Sequence, residues 1–230
     1  MRLTPSHLER VAMPVADPGP VQDRRYATED DYAAVVARLL ADRPADGAVW
    51  IFAYGSLIWN PVHDVAERRV ALLRGWHRSF CLGWDTHFRG MPGRPGLMMV
   101  LDRGGACRGV IERLPDGRAE DNLFRLFRRE MFLLPTPMPP RWVTVRTAAG
   151  ECVRAITFAI DRDSGRYVGG LDADRVADML ATAVGHWGTM AEYLHNTVAH
   201  LEAEGIHDRR LWRLQEMVAA RIEAAHGPIG

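Results

Sequence analysis

The sequence predicts an α+β protein, and three observations predict it. Strand-forming segments come early, helical segments come late, and no βαβ alternation joins the two sets. The strand-like part opens on "VWIFAYGSLIWNP", in which Val49, Trp50, Ile51 and Phe52 form a continuous β-branched and aromatic run. Runs of this kind are typically buried on both faces. From Leu171 onward the periodicity is helical. With 230 residues, the chain can bury a core that needs no staples.

The elements follow in order. Residues 1 to 27 are rich in Pro, Arg and Asp and read as an extension that wraps the domain or is partly loose. In "TEDDYAAVVARLLADRP", Thr28 is a plausible N-cap with Asp31 in the first turn, and Pro44 ends the helix. Tyr32, Val35, Val36, Leu39 and Leu40 share its apolar face. "RRVALLRGWHRSFCLG" alternates well enough for one or two strands. "GLMMVLDRG" and "CRGVIERLP" read as a hairpin turning at Gly104-Gly105. "RAEDNLFRLFRREMF" is helical, and "RWVTVRT" and "CVRAITFAI" are strands again. Asp172 caps a helix closed by Gly185, Thr189 with Glu192 forms a capping box before one closed by Gly205, and Asp208 caps the last.

Composition narrows the function. Lys+Arg 29 balance Asp+Glu 29 to a net charge of +0, which argues against nucleic acid or an anionic membrane as partner. The three cysteines, Cys81, Cys107 and Cys152, are scattered without a CxxC, a usage that fits a reducing, cytoplasmic setting. The first twenty residues lack the continuous apolar core of a secretory signal. No apolar run approaches the ~20 residues of a membrane span.

The histidines do not suggest a metal. His195 and His200 are five apart and so do not share a helix face, and neither HExxH nor a cysteine cluster is present. The cysteines sit among apolar neighbours, as inert core cysteines do. "RGMPGRPGLMM" lacks GxxxxGK[ST], and its prolines remove N–H donors. Arg89 and Arg94 in that loop could hold a carboxylate or simply face solvent. Ser56 lies in YGSL rather than GxSxG, so it suits a donor better than a nucleophile. Tyr54-Gly55-Ser56 itself reads either as a strand end or as a ligand-binding turn.

Glu130 is the most informative carboxylate. It follows Leu126 and Phe127 by four and three residues, which puts it on the buried face of its helix. A carboxylate there is costly unless paired or functional. Desolvation would raise its proton affinity, as a general base near neutrality requires. A salt bridge to Arg128, Arg129 or Arg141 is the structural alternative.

Together, "VWIFAYGSLIW", "GWHRSFCLG", "RGMPGRPG", "CRGVIERLP", "LFRRE", "YVGGL" and "GTMAEYL" resemble, in colinear order, the ChaC-like γ-glutamylcyclotransferases. The resemblance implies a mixed barrel-like β-sheet with packed helices, including C-terminal helices. It implies a γ-glutamylcyclotransferase-like domain over residues 48–225, preceded by an extension over 1–47 with one helix. It implies a carbon–nitrogen lyase that needs neither cofactor nor metal and acts on glutathione to give 5-oxoproline and Cys-Gly. Glu130 matches the family's catalytic glutamate. Ile51, Phe52, Ala53, Tyr54, Gly55, Ser56 and Leu57 match the substrate-binding turn, and Tyr193 of the EYL segment matches a tyrosine near the family's site; Arg89, from the loop that could hold a carboxylate, is taken with them as a substrate-binding residue. Two departures stand out: Ala53 where many relatives have Gly, and "MFLLPTPMPPRW" after Glu130 where they have a short Gly- and Tyr-containing turn. The second bears on which γ-glutamyl compound is cleaved. A different γ-glutamyl amine or peptide, or a non-catalytic γ-glutamyl-binding module, are the alternatives.

Overall fold

The computed structural model describes residues 1–228. It comprises two compact units. One contains Val21–Arg78 and Leu101–Asp161; the other contains Met1–Pro20, Ser79–Val100 and the chain from Arg162 onward.

The first unit is built on a closed barrel. Its strands are β2 (Trp50–Ala53), β3 (Glu67–Asp85), β4 (Gly96–Arg113), β6 (Pro140–Thr147) and β7 (Cys152–Phe158), in the order β2-β4-β3-β6-β7. The sheet is mixed: β2 runs antiparallel to β4, with Trp50 opposite Arg113, and parallel to β7 at Ile51 and Ile156. Every side chain of β2 is buried, as expected where a strand has neighbours on both edges and a filled interior. Ile51, Phe52, Ile111, Ile156 and Phe158 on its strands are buried. β3 and β4 continue beyond this unit, so their far ends belong to the other.

Two helices belong to the barrel unit. α2 (Glu29–Ala41) starts with a Thr28–Asp31 capping box and buries Tyr32, Val36 and Leu39. α3 (Ala119–Glu130) buries Asn122, Leu123, Leu126 and Phe127. Phe127 meets Phe158 of β7 edge-on, with ring centroids 6.0 Å apart. After α3 the chain forms the short strand β5 (Leu133–Leu134), which pairs with β1 (Arg25–Tyr26). The Pro-rich segment behind Glu130 is therefore tied to residues from the N-terminal stretch.

The second unit is mainly helical: α1 (Pro5–Val11), α4 (Ala173–Thr182), α5 (Met190–Ala203) and α6 (Arg209–His226), with the small hairpin β8 (Val184–Gly185) and β9 (Gly188–Thr189). Asp172, Thr189 and Asp208 accept from backbone amides at the starts of α4, α5 and α6. Gln215, fully buried on α6, accepts from Leu3 N at 2.8 Å.

The structure departs from the sequence reading at several places. Gly104-Gly105 does not turn a hairpin, because β4 runs unbroken from Gly96 to Arg113. Both glycines have positive φ, and Gly104 O bonds His77 of β3 at 3.0 Å. A glycine pair bends a continuing strand as readily as it reverses one. Residues 1–47 hold two helices rather than one, since Thr4 starts α1 ahead of α2. Gly185 does not close α4, which stops at Thr182; it belongs to β8. Cys81 and Cys107 are buried but Cys152 is exposed, because the first residue of β7 lies at the barrel rim rather than in its core.

Candidate active site

The YGSL segment leaves β2 as a short 3₁₀ turn, Ser56–Ile58. Its first amides, on Ser56 and Leu57, have no carbonyl of the turn behind them and are placed to donate elsewhere. Tyr54 and Leu57 are buried. The turn is braced from below. Thr157 of β7 donates to Phe52 O at 3.0 Å. Arg78 of β3, itself buried, donates from Nε to Tyr54 O at 2.6 Å and from its other arm to Arg108 O. A Cβ on Gly109 would sit 2.6 Å from Ala53 O, so only glycine permits this approach of β4 to β2.

Glu130 ends α3. The face carrying Leu123, Leu126 and Phe127 is fully buried, and Glu130, following at helical spacing, keeps only 15% of its side chain exposed. Burial pushes its carboxyl above the usual carboxylate range, against the opposing pull of Arg129 first and His63 second. Arg129 Nε lies 3.2 Å from Glu130 Oε1. The same guanidinium donates to Ser56 Oγ at 3.0 Å and to Asn60 O. The base candidate and the turn, more than seventy residues apart in the chain, are thus linked through one side chain. Glu130 is both of the things expected of it, a desolvated acid and a salt-bridge partner.

Around this pair lies a second ionic group. His63 Nε2 is 2.9 Å from Glu112 Oε2, and Arg68 reaches Glu112 Oε1 at 2.9 Å. His63 and Glu112 are both buried.

The other predicted residues come together in the helical unit. Asp85, at the end of β3, accepts from the amides of His87, Phe88 and Arg89 and so organises the loop that follows. The Arg89 guanidinium lies over the Tyr193 ring, 5.2 Å from its centroid, and donates to Thr189 O at 3.3 Å. Tyr193 is buried and meets Phe80 edge-on. Arg89 is therefore an ordered side chain rather than a loosely solvated one.

Sequence reasoning named Arg129 only as a possible ion-pair partner of Glu130, and missed Arg78, His63 and Glu112. Arg129 was within reach, being next to Glu130; Arg78 lay within the quoted "HRSF". The His63–Glu112 pair spans 49 residues and leaves no local signal. Among the described residues, no group of three or more His, Cys, Asp or Glu is arranged to hold a metal ion.

These features define a class: a small mixed barrel that presents a backbone turn and a desolvated carboxylate at one side. The fold is that of a yeast γ-glutamyl cyclotransferase specific to glutathione, whose crystal structure superposes with a TM-score of 0.69 at 21% identity over 78% of this chain and 99% of that one. The chain belongs to the ChaC-like protein family, whose model matches residues 49–221. It is 38% identical to the glutathione-specific γ-glutamylcyclotransferase of Escherichia coli (strain K12), over 83% of this chain and 81% of that relative. It is 29% identical to the glutathione-specific γ-glutamylcyclotransferase 1 of Homo sapiens, over 64% and 67% of the respective chains.

Proposed function

We propose that this protein is a γ-glutamylcyclotransferase that cleaves glutathione to 5-oxoproline and Cys-Gly. The observation that carries the reading is the desolvated Glu130 carboxylate, joined through Arg129 to Ser56 of the YGSL turn. The 38% identity to the E. coli enzyme supports the substrate.

The substrate carries its own nucleophile. The α-amine of the γ-glutamyl group attacks the γ-carbonyl carbon and forms the fifth bond of a lactam ring. The bond from that carbon to the cysteine nitrogen then breaks. Intramolecular attack begins with an effective molarity on the order of 10⁵ M or more when well oriented. The amine is mostly protonated near neutrality, so a base must first remove a proton. The leaving nitrogen needs one back. Glu130 does both, taking the proton from the ammonium and returning it to the departing amine, a contribution of about 10²–10⁴-fold. The amides of Ser56 and Leu57 hold the oxyanion of the tetrahedral intermediate, each such donor contributing about 3 kcal/mol. Ser56 acts as a binder, its hydroxyl oriented by Arg129.

In this reading Ile51, Phe52, Ala53, Tyr54, Gly55 and Leu57 shape the substrate turn, Tyr193 is a substrate-binding residue on the strength of the sequence resemblance, and Arg89 is one because its guanidinium suits a substrate carboxylate. Residues 48–225 are the catalytic domain and 1–47 its extension. The enzyme needs no cofactor and works in the cytoplasm. In support of that location, the three cysteines are scattered without a CxxC, a usage that fits a reducing compartment.

The test is turnover. Purified protein is given glutathione and, in parallel, a panel of γ-glutamyl amines and dipeptides, and 5-oxoproline is followed by mass spectrometry. Glutathione is expected to be the best substrate, with activity lost in Glu130→Gln. A better γ-glutamyl amine would redirect the specificity. Stabilisation by glutathione with no 5-oxoproline would identify a binding module instead. Full activity in Glu130→Gln would remove the assigned base.

A further inference from the structure

Arg141, the second residue of β6, is a cation without a counter-ion. Its Nε is buried and has no hydrogen-bond partner among the described residues. Its guanidinium lies over the ring of Trp76 on β3, 5.1 Å from the centroid. Among the described residues no carboxylate sits within ion-pair distance of it. The sequence allowed Glu130 as its partner, but Arg129 takes that place.

Strand geometry places this cation. Trp142, next to it, donates from Nε1 to Leu39 O of α2 at 3.2 Å, and Phe158 of β7 meets Phe127 of α3. A five-stranded barrel has no room for a helix inside it, so Trp142 and Phe158 are outer residues. Side chains alternate along a strand. Arg141 and Thr157, which pair across β6 and β7, therefore point inward. β6 starts where β7 ends, and β7 runs parallel to β2. Arg141 thus lies at the barrel end from which the YGSL turn leaves. Its neighbours brace that turn. Thr157 donates to Phe52 O, and Arg78, two residues beyond Trp76 on β3, donates to Tyr54 O.

An unpaired, partly desolvated guanidinium is costly. Burial disfavours its charged form, and Arg103 adds like charge against the weaker pull of Asp161. Arginine stays protonated under such pressure, and its planar fork suits a carboxylate. Stability gives no reason for arginine here, since a methionine would cover Trp76 without burying a charge. We propose that Arg141 is a substrate-binding residue that holds a free carboxylate of the γ-glutamyl substrate at the barrel mouth, with Trp76 as its platform. The inference deepens the proposed function and rests on it. A γ-glutamyl peptide has two such groups, the α-carboxylate of its γ-glutamyl residue and the C-terminal carboxylate of the leaving peptide. A simple γ-glutamyl amine has only the first.

The test crosses a change in the protein with a change in the substrate. Wild type, Arg141→Met and Arg141→Gln are each assayed with glutathione, its C-terminal carboxamide and its γ-glutamyl α-carboxamide. The lactam product, 5-oxoproline or its amide, is followed by mass spectrometry. Hydrogen bonds to a charged group are worth about ten- to hundredfold in binding. Arg141→Met is therefore expected to raise KM for glutathione by about that factor, with kcat changed far less. Amidating the carboxylate that Arg141 holds should cost wild type a similar factor and cost the variants nothing further. The amide that shows this pattern tells the α-carboxylate from the C-terminal one. Removing an unpaired cation should leave the melting temperature unchanged or higher, and any variant that melts like wild type can be used for the kinetics. An unchanged KM for glutathione overturns the proposal, as do amides that cost the variants as much as they cost wild type. Unfolding of both variants would make Arg141 a structural residue and overturn it too. A wild type that forms no 5-oxoproline from glutathione overturns the proposed function itself, so the two failures are distinguishable.

Discussion

Arg129 lies 3.2 Å from the carboxylate of Glu130, its immediate neighbour at the end of α3. It also donates to Ser56 Oγ at 3.0 Å. Adjacent residues on a helix ordinarily diverge by about 100°. The two side chains meet here because the helix ends at Glu130 and the turn from β2 draws the guanidinium inward.

Replacing Arg129 should therefore have two effects. Arg129→Met removes the main charge opposing the burial of Glu130, so the acid limb of kcat/KM shifts to higher pH. It also frees Ser56, and a misplaced turn costs roughly 10²-fold. Steady-state kinetics across pH would read both effects. An unchanged limb would mean that the ion pair does not act on the base.

Glu130 should cost stability as well as serve function. Its proton affinity is raised on folding, so below the ordinary carboxylate range both states are protonated and nothing is lost. As pH rises through the unfolded value, the unfolded chain releases its proton while the folded one retains it, and stability falls until the folded group ionises. Glu130→Gln should accordingly be inactive yet melt higher than wild type at pH 8, with the difference vanishing near pH 4. Each kcal/mol recovered raises the melting point by about 2–4 °C in a protein of this size. A variant less stable than wild type at pH 8 would contradict the account.

Arg78 is a structural cation for the turn. It is buried, and it donates to Tyr54 O and to Arg108 O. Bonds from a charged donor contribute about 1.5–3 kcal/mol each. Arg78→Met should lower stability by about 3 kcal/mol and raise KM for glutathione, because the amides proposed to bind substrate belong to the turn that Arg78 holds. Urea denaturation together with kinetics checks both parts.

Phe127 seats α3 on the barrel. It is fully buried and stacks edge-on against Phe158. Phe127→Ala should cost about 3–5 kcal/mol, read as a lower urea midpoint. Surviving folded protein should lose kcat more than it gains KM, because the helix that loosens is the one that carries the proposed base. A loss below about 1 kcal/mol would mean that the site collapses around the missing ring.

What was legible in the sequence was local. Thr28, Asp172, Thr189 and Asp208 announced their helix starts because a cap acts on amides two or three residues away. Glu130 was legible for the same reason, since helical spacing alone put it on the face of Leu126 and Phe127. The apolar run at β2 and the order of strands before helices were enough for the fold class.

The rest depended on partners that no local pattern specifies. Whether Gly104-Gly105 reverses or merely bends the chain was decided by its neighbour β3, through His77. Cys152 became exposed because the barrel rim, not its own strand, sets its surroundings. The pairing of β1 with β5 drew an N-terminal segment onto the stretch behind Glu130. The sequence by itself determined the kinds of element and put Glu130 on the buried face of its helix, because short-range spacing encodes both. Only the tertiary structure decided which charges surround it. Arg129 turning to Ser56, and His63 meeting Glu112 across 49 residues, arise from barrel closure, which brings distant residues together without leaving a periodic trace.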